Sequence, residues 1–364
     1  MMNESQTTLA ISLCDGIGPK TFQKLIIYFG SSKNIWKDLD SSTCKNIGMG
    51  AGVFQKFQEF RESFELAIYA SKLEKAKVVV VTITDDLYPE ALKKLEAPPI
   101  VIYCKGNLDL LNCTSVIGVV GARKITSYGR EATQRIVSEL VAQDFVIVSG
   151  LAFGVDAVSH LTTLSEKGKT IAVLGCGVDC CTPLENQAIY EEILDKKGLI
   201  ISEYFLGKPP SMGSFPARNR IIAGLASGIL VTEAAEGSGS LITAEEAKKQ
   251  GKSVFAVPGP INSFMSKGTF KLLKEGAHIV SSGEDILQAL NSKAKQLKGK
   301  TTSQKSKLSA EEKRVVRLLE REAMRLDMLA KAAKIPMVEL MVLVSSLEMQ
   351  GFIESKEGEI SLKA

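Results

Sequence analysis

Residues 215–260 read FPARNRIIAGLASGILVTEAAEGSGSLITAEEAKKQGKSVFAVPGP, and this stretch decides the fold. An apolar run from Gly228 to Thr232 is too short for a helix and is typical of a strand buried on both faces. It leads into a glycine-rich turn at 236–240 and a helical pattern that Gly251 closes. A second apolar strand follows at 253–257. This order of elements predicts a βαβ unit.

The glycine-rich turn predicts a position where an anion can bind. In open parallel sheets, ligands lie at the carboxyl ends of the strands, over helix N-termini. Ser240 is the expected N-cap, and the small residues 237–239 would let backbone N–H groups approach an anion. Glu233 and Glu236 flank the turn and would repel a phosphate placed on it. A purely structural turn, or one that binds arginine side chains or sugar hydroxyls, therefore stays an alternative.

Two arginines upstream of this unit point to a polyanion. Arg218 and Arg220 follow Pro216, a residue that suits the first turn of a helix. The positive end of a helix dipole disfavours cations, so solvated surface charge is the weaker interpretation. Guanidinium groups fork onto phosphate oxygens, and we therefore expect both arginines to face phosphates.

The preceding segments repeat this arrangement. Further apolar strands are predicted at 78–83, 99–103, 115–120, 145–148, 170–174 and 199–202. Several of them end in glycines, small polar residues or charges, which predicts a Rossmann-like α/β fold with a doubly wound, mostly parallel sheet and one functional rim. Arg123 leaves one such strand beside Gly121, where it can contact a phosphate or stack on a base. Asp156 is expected to brace the rim loops, and His160 to be a helix residue without a catalytic role.

The chain divides into four segments. Residues 1–75 predict a small helical domain whose Gly-Ile-Gly-Pro break resembles a helix-hairpin-helix, with DNA contact there left open. Residues 76–290 hold the sheet, and 291–307 form a linker with six lysines and no acidic residue. Residues 308–364 predict three helices and a β-hairpin, a winged helix. Its nine basic and ten acidic residues favour a protein-interaction or weak DNA role.

Composition excludes several classes of function. The 364 residues contain no apolar stretch of about 20, which predicts no membrane span, and the first ten lack a signal-peptide pattern. Seven cysteines without C-x-x-C and two histidines predict reduced thiols, a cytoplasmic protein and no metal. The Gly-Lys-Thr and Gly-Lys-Ser triplets at 168–170 and 251–253 precede strands, unlike a P-loop, and no dinucleotide fingerprint occurs. We therefore expect no cofactor and no catalytic residues.

Over residues 75–290 the sequence resembles the DprA (Smf) family, the DNA-processing proteins of bacterial natural transformation. The resemblance rests on VVGARKITSYGR, SGLAFGVDAVSH, TIAVLGCGVD, ISEY, GTFKLLKEGA and the 215–259 stretch. It implies a non-catalytic single-stranded DNA-binding protein that dimerises through its core and protects incoming DNA. It also implies that the protein loads a RecA-type recombinase and displaces single-strand-binding protein. Two positions depart from the family pattern, Phe153 and Thr182, where an arginine and an aromatic residue are usual.

The expected DNA-binding residues combine this resemblance with the chemistry of the rim. The GAR and FPARNR motifs supply the contacts that the resemblance implies, the glycine turn would line the same groove, and one lysine would extend the basic rim. The full set is Gly121, Arg123, Lys208, Phe215, Arg218, Asn219, Arg220, Gly237, Ser238, Gly239 and Ser240.

Two other functions stay open from the sequence. Some Rossmann-like phosphoribohydrolases carry a glycine loop, a threonine and a glutamate, which Gly239, Thr243 and Glu245 loosely echo. Such an enzyme would release free base from nucleoside monophosphates. Alternatively, the winged helix would be the main DNA reader, and its deletion would then abolish binding.

Overall fold

A computed structural model describes residues 2–291, 309–320, 323–349, 352–356 and 359–362. The chain forms two compact units, residues 1–290 and 291–364. Apart from residue 291, the lysine-rich linker predicted at 291–307 lies outside the described residues.

The first unit begins with six helices and continues as an α/β domain. Its helices are α1 Glu4–Ser12, α2 Pro19–Phe29, α3 Ser32–Asp38, α4 Ser41–Ile47, α5 Ala51–Ser63, α6 Leu66–Lys75, α7 Glu90–Lys93, α8 Ser127–Val141, α9 Val155–Ser165, α10 Gln187–Asp195, α11 Ser214–Leu225, α12 Gly239–Lys249, α13 Lys267–Lys274 and α14 at 283–291. Its strands are β1 Val79–Thr82, β2 Val101–Gly106, β3 Val116–Val120, β4 Val146–Ser149, β5 Thr170–Val173, β6 Leu199–Ser202, β7 Gly228–Val231, β8 Ser253–Ala256 and β9 His278–Ile279.

These strands form one mixed sheet in the order β1-β2-β6-β5-β4-β3-β7-β8-β9. The β1–β2 and β2–β6 pairs are antiparallel, and the other neighbours are parallel. The chain builds outward from β3 through β4, β5 and β6, and then returns to add β7 and β8 on the other side of β3. The strand order therefore reverses between β3 and β7, where doubly wound folds open a crevice for ligands. The predicted fold class is confirmed; β9, a two-residue edge strand, was not predicted.

Alternating side chains of the central strands pack on opposite faces of the sheet. Val116 and Val120 belong to one apolar cluster with helices α11 and α12, whereas Ile117 and Val119 belong to another with α8. All four side chains are at most 4% exposed. Strands buried on both faces read as continuous apolar runs, which is why the sequence pattern identified them.

The N-terminal helices share an apolar cluster with the outer part of the sheet. Leu25 and Phe57, from α2 and α5, belong to the same buried cluster as Tyr103 and Ile200 of β2 and β6. The end of α6 at Lys75 coincides with the predicted segment boundary. This packing joins residues 1–75 to the sheet in a single unit.

The second unit contains three helices and a small antiparallel sheet. Its elements are α15 Ala310–Leu319, β10 Met324–Arg325, α16 Leu326–Ala333, α17 Met337–Met349, β11 Ile353–Lys356 and β12 Glu359–Leu362. Helix α15 begins with a capping box between Ser309 and Glu312. The predicted winged helix is confirmed, with β10 as an additional short strand pairing with β12. Across the described ranges, no helix has the length and apolar character needed to cross a membrane.

Candidate nucleic-acid interface

A cleft of about 850 Å³ opens beyond the carboxyl ends of β3 and β7. Its walls come from the segment after β3, the turn after β7 and the first turns of α11 and α12. The cleft therefore lies at the point where the strand order reverses. It brings together nine of the expected residues: Gly121, Arg123, Phe215, Arg218, Asn219, Gly237, Ser238, Gly239 and Ser240.

Arg123 and Phe215 form the most accessible recognition element of the cleft. The Arg123 guanidinium carbon lies 5.8 Å from the centroid of the Phe215 ring, a cation–π contact. Arg123 is exposed and Phe215 is half-buried. In the described part of the chain, the arginines with salt bridges are Arg135 and Arg220, so the charge of Arg123 is available to a ligand. A planar cation beside an aromatic ring offers both a phosphate contact and a surface for stacking.

The glycine-rich turn forms the start of α12 on another side of the cleft. The N-cap is Ser238, whose hydroxyl accepts a hydrogen bond from the Ser240 N–H at 3.4 Å, so the expectation that Ser240 is the cap is wrong by two residues. Gly237 has φ +78°, a conformation that side chains other than glycine rarely adopt. Asn219 donates to the Gly239 carbonyl at 3.4 Å and so links α11 to the turn.

The two glutamates beside the turn have different surroundings. Glu233 is buried (3% exposed) and accepts hydrogen bonds from the N–H and hydroxyl of Thr126, at 2.8 and 2.6 Å. It therefore fixes the loop after β3 and does not face a ligand, contrary to the repulsion expected from the sequence. Glu236 is exposed and lines the cleft, so of these two glutamates it is the one that opposes an anion there.

Arg218 lies in the cleft floor rather than on an open rim. Its side chain is 4% exposed, and Nη1 donates to the carbonyl oxygens of Gly150, at 2.7 Å, and Val173. A Cβ at position 150 would overlap the guanidinium group, so a larger residue there would displace the Arg218 side chain. The expectation that Arg218 projects outward toward phosphates is therefore wrong. Its side chain instead points inward and donates hydrogen bonds to backbone carbonyl groups at the ends of β4 and β5.

A buried carboxylate accompanies Arg218. Asp156 accepts hydrogen bonds from the N–H groups of Gly150 and Ala152, at 3.1 and 3.4 Å, and thus braces the loop after β4 as expected. Burial raises the pKa of the Asp156 carboxyl, and the positive charge of Arg218 lowers it. Burial likewise lowers the pKa of Arg218, an effect that the Asp156 charge opposes. Arg218 and Asp156 are thus buried groups that influence each other electrostatically, and each holds the cleft loops through its own hydrogen bonds to the backbone.

Two expected residues lie outside the cleft lining. Arg220 is on another side of α11, where Nη2 forms a 2.5 Å ion pair with Glu203, and burial raises the pKa of that carboxyl. Lys208 lies over the Phe205 ring, with Nζ 5.8 Å from the centroid, in the loop after β6. The three arginines expected on one open rim are therefore separated, because residues 218 and 220 are two positions apart and project from opposite sides of α11. DNA contact by any of them stays a prediction.

The chain matches known protein families over two ranges, one in the α/β unit and one in the winged helix. Residues 79–291 match the family described as DNA recombination-mediator protein A, and residues 299–359 match the DprA winged helix domain. The chain belongs to the DprA family. Its role is accordingly that of a DNA-processing recombination mediator. The family expected from the sequence motifs is confirmed.

Individual DprA relatives support this assignment. Protein Smf of Synechocystis is 36% identical over 294 residues, 80% of this chain and 74% of the relative. The X-ray structure of DprA from Streptococcus pneumoniae has a TM-score of 0.69 at 35% identity and covers 79% of this chain and 98% of that protein. DprA from Helicobacter pylori, described for its unique single-stranded DNA binding mode, has a TM-score of 0.53 at 32% identity, covering 59% and 96% of the two chains.

The DprA-family cleft also contains residues that the sequence analysis missed. Met212, Phe264 and Met265 line it, and Met212 and Phe264 are 94% and 58% exposed. Lys124 lines it next to Arg123. Phe264 could have been found from the sequence, because it is an aromatic residue in the polar segment that follows Pro258-Gly259-Pro260. Met212, Phe264 and Met265 add apolar surface to the cleft.

Buried His160 predicts a measurable pH dependence of stability. Its Nδ1 lies 2.7 Å from the Thr170 hydroxyl, which itself donates to the Ile147 carbonyl, so Nδ1–H is the donor and Nε2 is unprotonated. Burial lowers the pKa of His160 from 6.5 to about 3. Below pH 6.5 the unfolded chain therefore takes up a proton that the folded chain does not, and stability falls by about 1.4 kcal/mol per pH unit until about pH 3.

A His160→Gln variant isolates this contribution. We expect the free energy of unfolding of the wild type, from urea titrations, to fall by about 2 to 3 kcal/mol more than that of the variant between pH 7 and pH 4.5. The raised pKa values of Asp156 and Glu203 act in the opposite direction in both proteins and cancel in this comparison. Parallel pH profiles of the two proteins would contradict a neutral, buried His160.

Proposed function

We propose that the cleft binds single-stranded DNA and that this binding is the basis of the recombination-mediator role. The observation that carries the proposal is the Arg123–Phe215 pair, an accessible cation stacked on an aromatic ring at the switch point of the sheet. Single-strand binding needs cations for phosphates and planar groups for bases. The DNA-binding relative from Helicobacter pylori supports the same function for this chain.

The composition of the cleft favours an unpaired strand over a duplex. Phe215 and Phe264 can contact base faces, which a duplex conceals within its stack, whereas phosphates are exposed in both forms. The N–H groups at the start of α12 and the side chains of Arg123 and Lys124 provide sequence-independent contacts. We therefore propose recognition that tolerates any base and weakens with salt.

Oligonucleotide titration tests this proposal. A labelled single strand and the matching duplex are titrated with the full chain at about 50 mM and about 200 mM salt. We expect tighter binding of the single strand at both concentrations, with affinity that falls as salt rises. Equal affinity for single strand and duplex would contradict the proposed base stacking, and absence of single-strand binding would contradict the function.

We further propose that the chain, as a homodimer, protects incoming DNA in natural transformation, displaces single-strand-binding protein and loads a RecA-type recombinase. Family membership supports this step. All seven cysteines are free, as a reducing cytoplasm requires. The test is nucleation of recombinase filaments on strands coated with single-strand-binding protein. The chain should shorten the lag before filament growth, and an unchanged lag would contradict the loading role.

We propose that the cleft is non-catalytic. In the phosphoribohydrolase alternative, Glu245 would have to act near Gly239 and Thr243. Gly239 and Thr243 line the cleft, but Glu245 is an exposed residue of α12 that does not belong to the cleft lining. Incubation with nucleoside monophosphates should therefore release no free base. Base release that Glu245→Gln abolishes would establish the enzyme instead.

The winged helix is expected to be dispensable for single-strand binding. Helix α17, Met337–Met349, has no lysine or arginine, and Val338, Met341 and Val342 on its surface are 53% to 76% exposed. Reading a duplex groove requires cations on the recognition surface. We therefore expect deletion of 308–364 to change the Kd for a single-stranded oligonucleotide less than about threefold. Loss of binding in the same titration would make the winged helix the DNA reader.

A further inference from the structure

We propose that a second groove, on the other side of α11 from the cleft, carries the sugar-phosphate backbone of the single strand after it leaves the cleft. This inference rests on the proposed function of the cleft and extends its binding site. The groove has a volume of about 700 Å³, and its cations are Lys20, Lys94, Arg220, Lys249 and Lys252.

The groove and the cleft adjoin at Pro216. This residue, in the first turn of α11, lines both depressions. Arg218 and Asn219 face the cleft, whereas Ala217 and Arg220 face the groove. A strand that passes over the start of α11 therefore moves from one depression into the other without crossing another element of secondary structure.

The charges in the groove are suited to a polyanion. Its lining includes two carboxylates, Glu96 and Glu246, against the five cations. Lys20 pairs with Glu96, and Lys249 pairs with Glu246, but both lysine side chains are 68% exposed. Exposed pairs of this kind contribute at most about 1 kcal/mol, so phosphates can displace the carboxylates.

Two further cations in the groove, Lys94 and Arg220, have polar atoms that lack a partner among the described residues. Lys94 is exposed, and no described carboxylate lies within salt-bridge distance of it; the salt bridge of its neighbour Lys93 is to Glu90. Arg220 pairs with Glu203 through Nη2, while its buried Nη1 has no hydrogen-bond partner among the described residues. Lys94 is therefore free to interact with a phosphate oxygen, whereas Arg220 contributes positive charge from beneath the groove surface.

Lys252 adds a half-buried cation to the groove lining. Its ammonium donates to the carbonyl oxygens of Ala223 and Gly224 at the end of α11, at 2.7 and 2.5 Å. Burial, together with the neighbouring charge of Lys94, lowers the pKa of Lys252 to about 8. A phosphate diester in the groove would stabilise the charged form of Lys252.

The groove fits a backbone rather than bases. Its lining contains no aromatic side chain among the described residues, in contrast to Phe215 and Phe264 in the cleft. Lys20 is the second residue of α2, which follows the Gly-Ile-Gly-Pro break with Gly18 as its N-cap. The helix-hairpin-helix-like segment thus contributes a cation to the proposed path.

A length series of thymidine oligonucleotides tests the groove in the full chain. Strands of about 4 nucleotides would occupy the cleft, and those of about 16 or more would reach the groove. The variant Lys94→Ala/Lys249→Ala should bind the short strand like the wild type and the long strand about tenfold more weakly. Its salt dependence for the long strand should decrease by about 1.4 in log–log slope, since two phosphate contacts are lost.

A matched control removes the same charge from residues that line neither the groove nor the cleft. Lys169 and Lys196 are exposed, and they lie just before β5 and β6. Lys169→Ala/Lys196→Ala should match the wild type for every strand length. If the wild type binds long strands and both double variants bind them equally well, the groove proposal is overturned while the cleft proposal stands. If the wild type binds no single strand, the proposed function itself fails. A groove variant with normal DNA binding but weakened binding of a poly-glutamate peptide would assign the groove to an acidic protein segment instead.

Discussion

Arg123→Ala is expected to weaken binding of a single-stranded oligonucleotide by about 2 kcal/mol, roughly 30-fold in Kd. The substitution removes an exposed cation that is available to phosphates and leaves the Phe215 ring without its planar partner. Because Arg123 is exposed, the free energy of unfolding should change by no more than about 0.5 kcal/mol. Fluorescence anisotropy gives the Kd, and urea unfolding gives the stability.

Arg135→Ala is the matched control for this prediction. Arg135 is also exposed, with 69% of its side chain accessible, and it pairs with Glu139 within α8 rather than lining the cleft. Its substitution should leave the Kd within about twofold of the wild type. Arg123→Lys keeps the charge without the planar group and should fall between the two. Equal losses for Arg123→Ala and Arg135→Ala would show that only net charge matters.

The second large effect concerns the stability of the fold. Arg218→Ala is expected to lower the free energy of unfolding by about 3 kcal/mol, because it truncates a buried side chain and removes the positive charge that favours the ionised form of buried Asp156. It also removes hydrogen bonds to the carbonyl groups of Gly150 and Val173. The single tryptophan, Trp36, packs against Phe57 in the same compact unit and reports unfolding in urea.

The same variant separates a positioning role from direct contact. If Arg218 positions the cleft loops, the loss of stability should accompany any loss of DNA affinity, and Asp156→Asn/Arg218→Met should recover part of the stability. If Arg218→Ala bound DNA poorly but unfolded at the wild-type urea concentration, Arg218 would be a direct ligand. That result would support the original sequence expectation over the buried geometry.

The sheet was predictable from sequence because its strands are buried on both faces. Runs such as Val116–Val120 are continuously apolar, and each is followed by small or charged residues that mark the functional edge. The two-residue strand β9 escaped prediction because it has no apolar run and both of its residues are exposed. Short edge strands depend on pairing with a neighbour, in this case β8, which sequence periodicity does not reveal.

The candidate site was predictable only in part. Nine of the eleven expected residues do line one cleft, because the carboxyl ends of parallel strands converge there. The direction of each side chain was not predictable. Arg218 and Arg220 are two positions apart on α11, so one is buried beneath the cleft and the other reaches Glu203. The sequence likewise suggests that Glu233 is an unpaired charge. Its hydrogen-bond partner, Thr126, is 107 residues away in the chain and so could not be identified from the sequence.

The central claim is that the cleft at the β3–β7 switch point holds the unpaired strand. Photo-crosslinking is its most direct test. A single-stranded oligonucleotide that contains iodouracil is irradiated with the full chain, and the crosslinked peptides are mapped by mass spectrometry. We expect crosslinks at Phe215 and Phe264, the accessible aromatic residues of the cleft, and an excess of unlabelled single strand should remove them. Crosslinks confined to 308–364 or to the N-terminal helices, with none in the cleft, would contradict the claim.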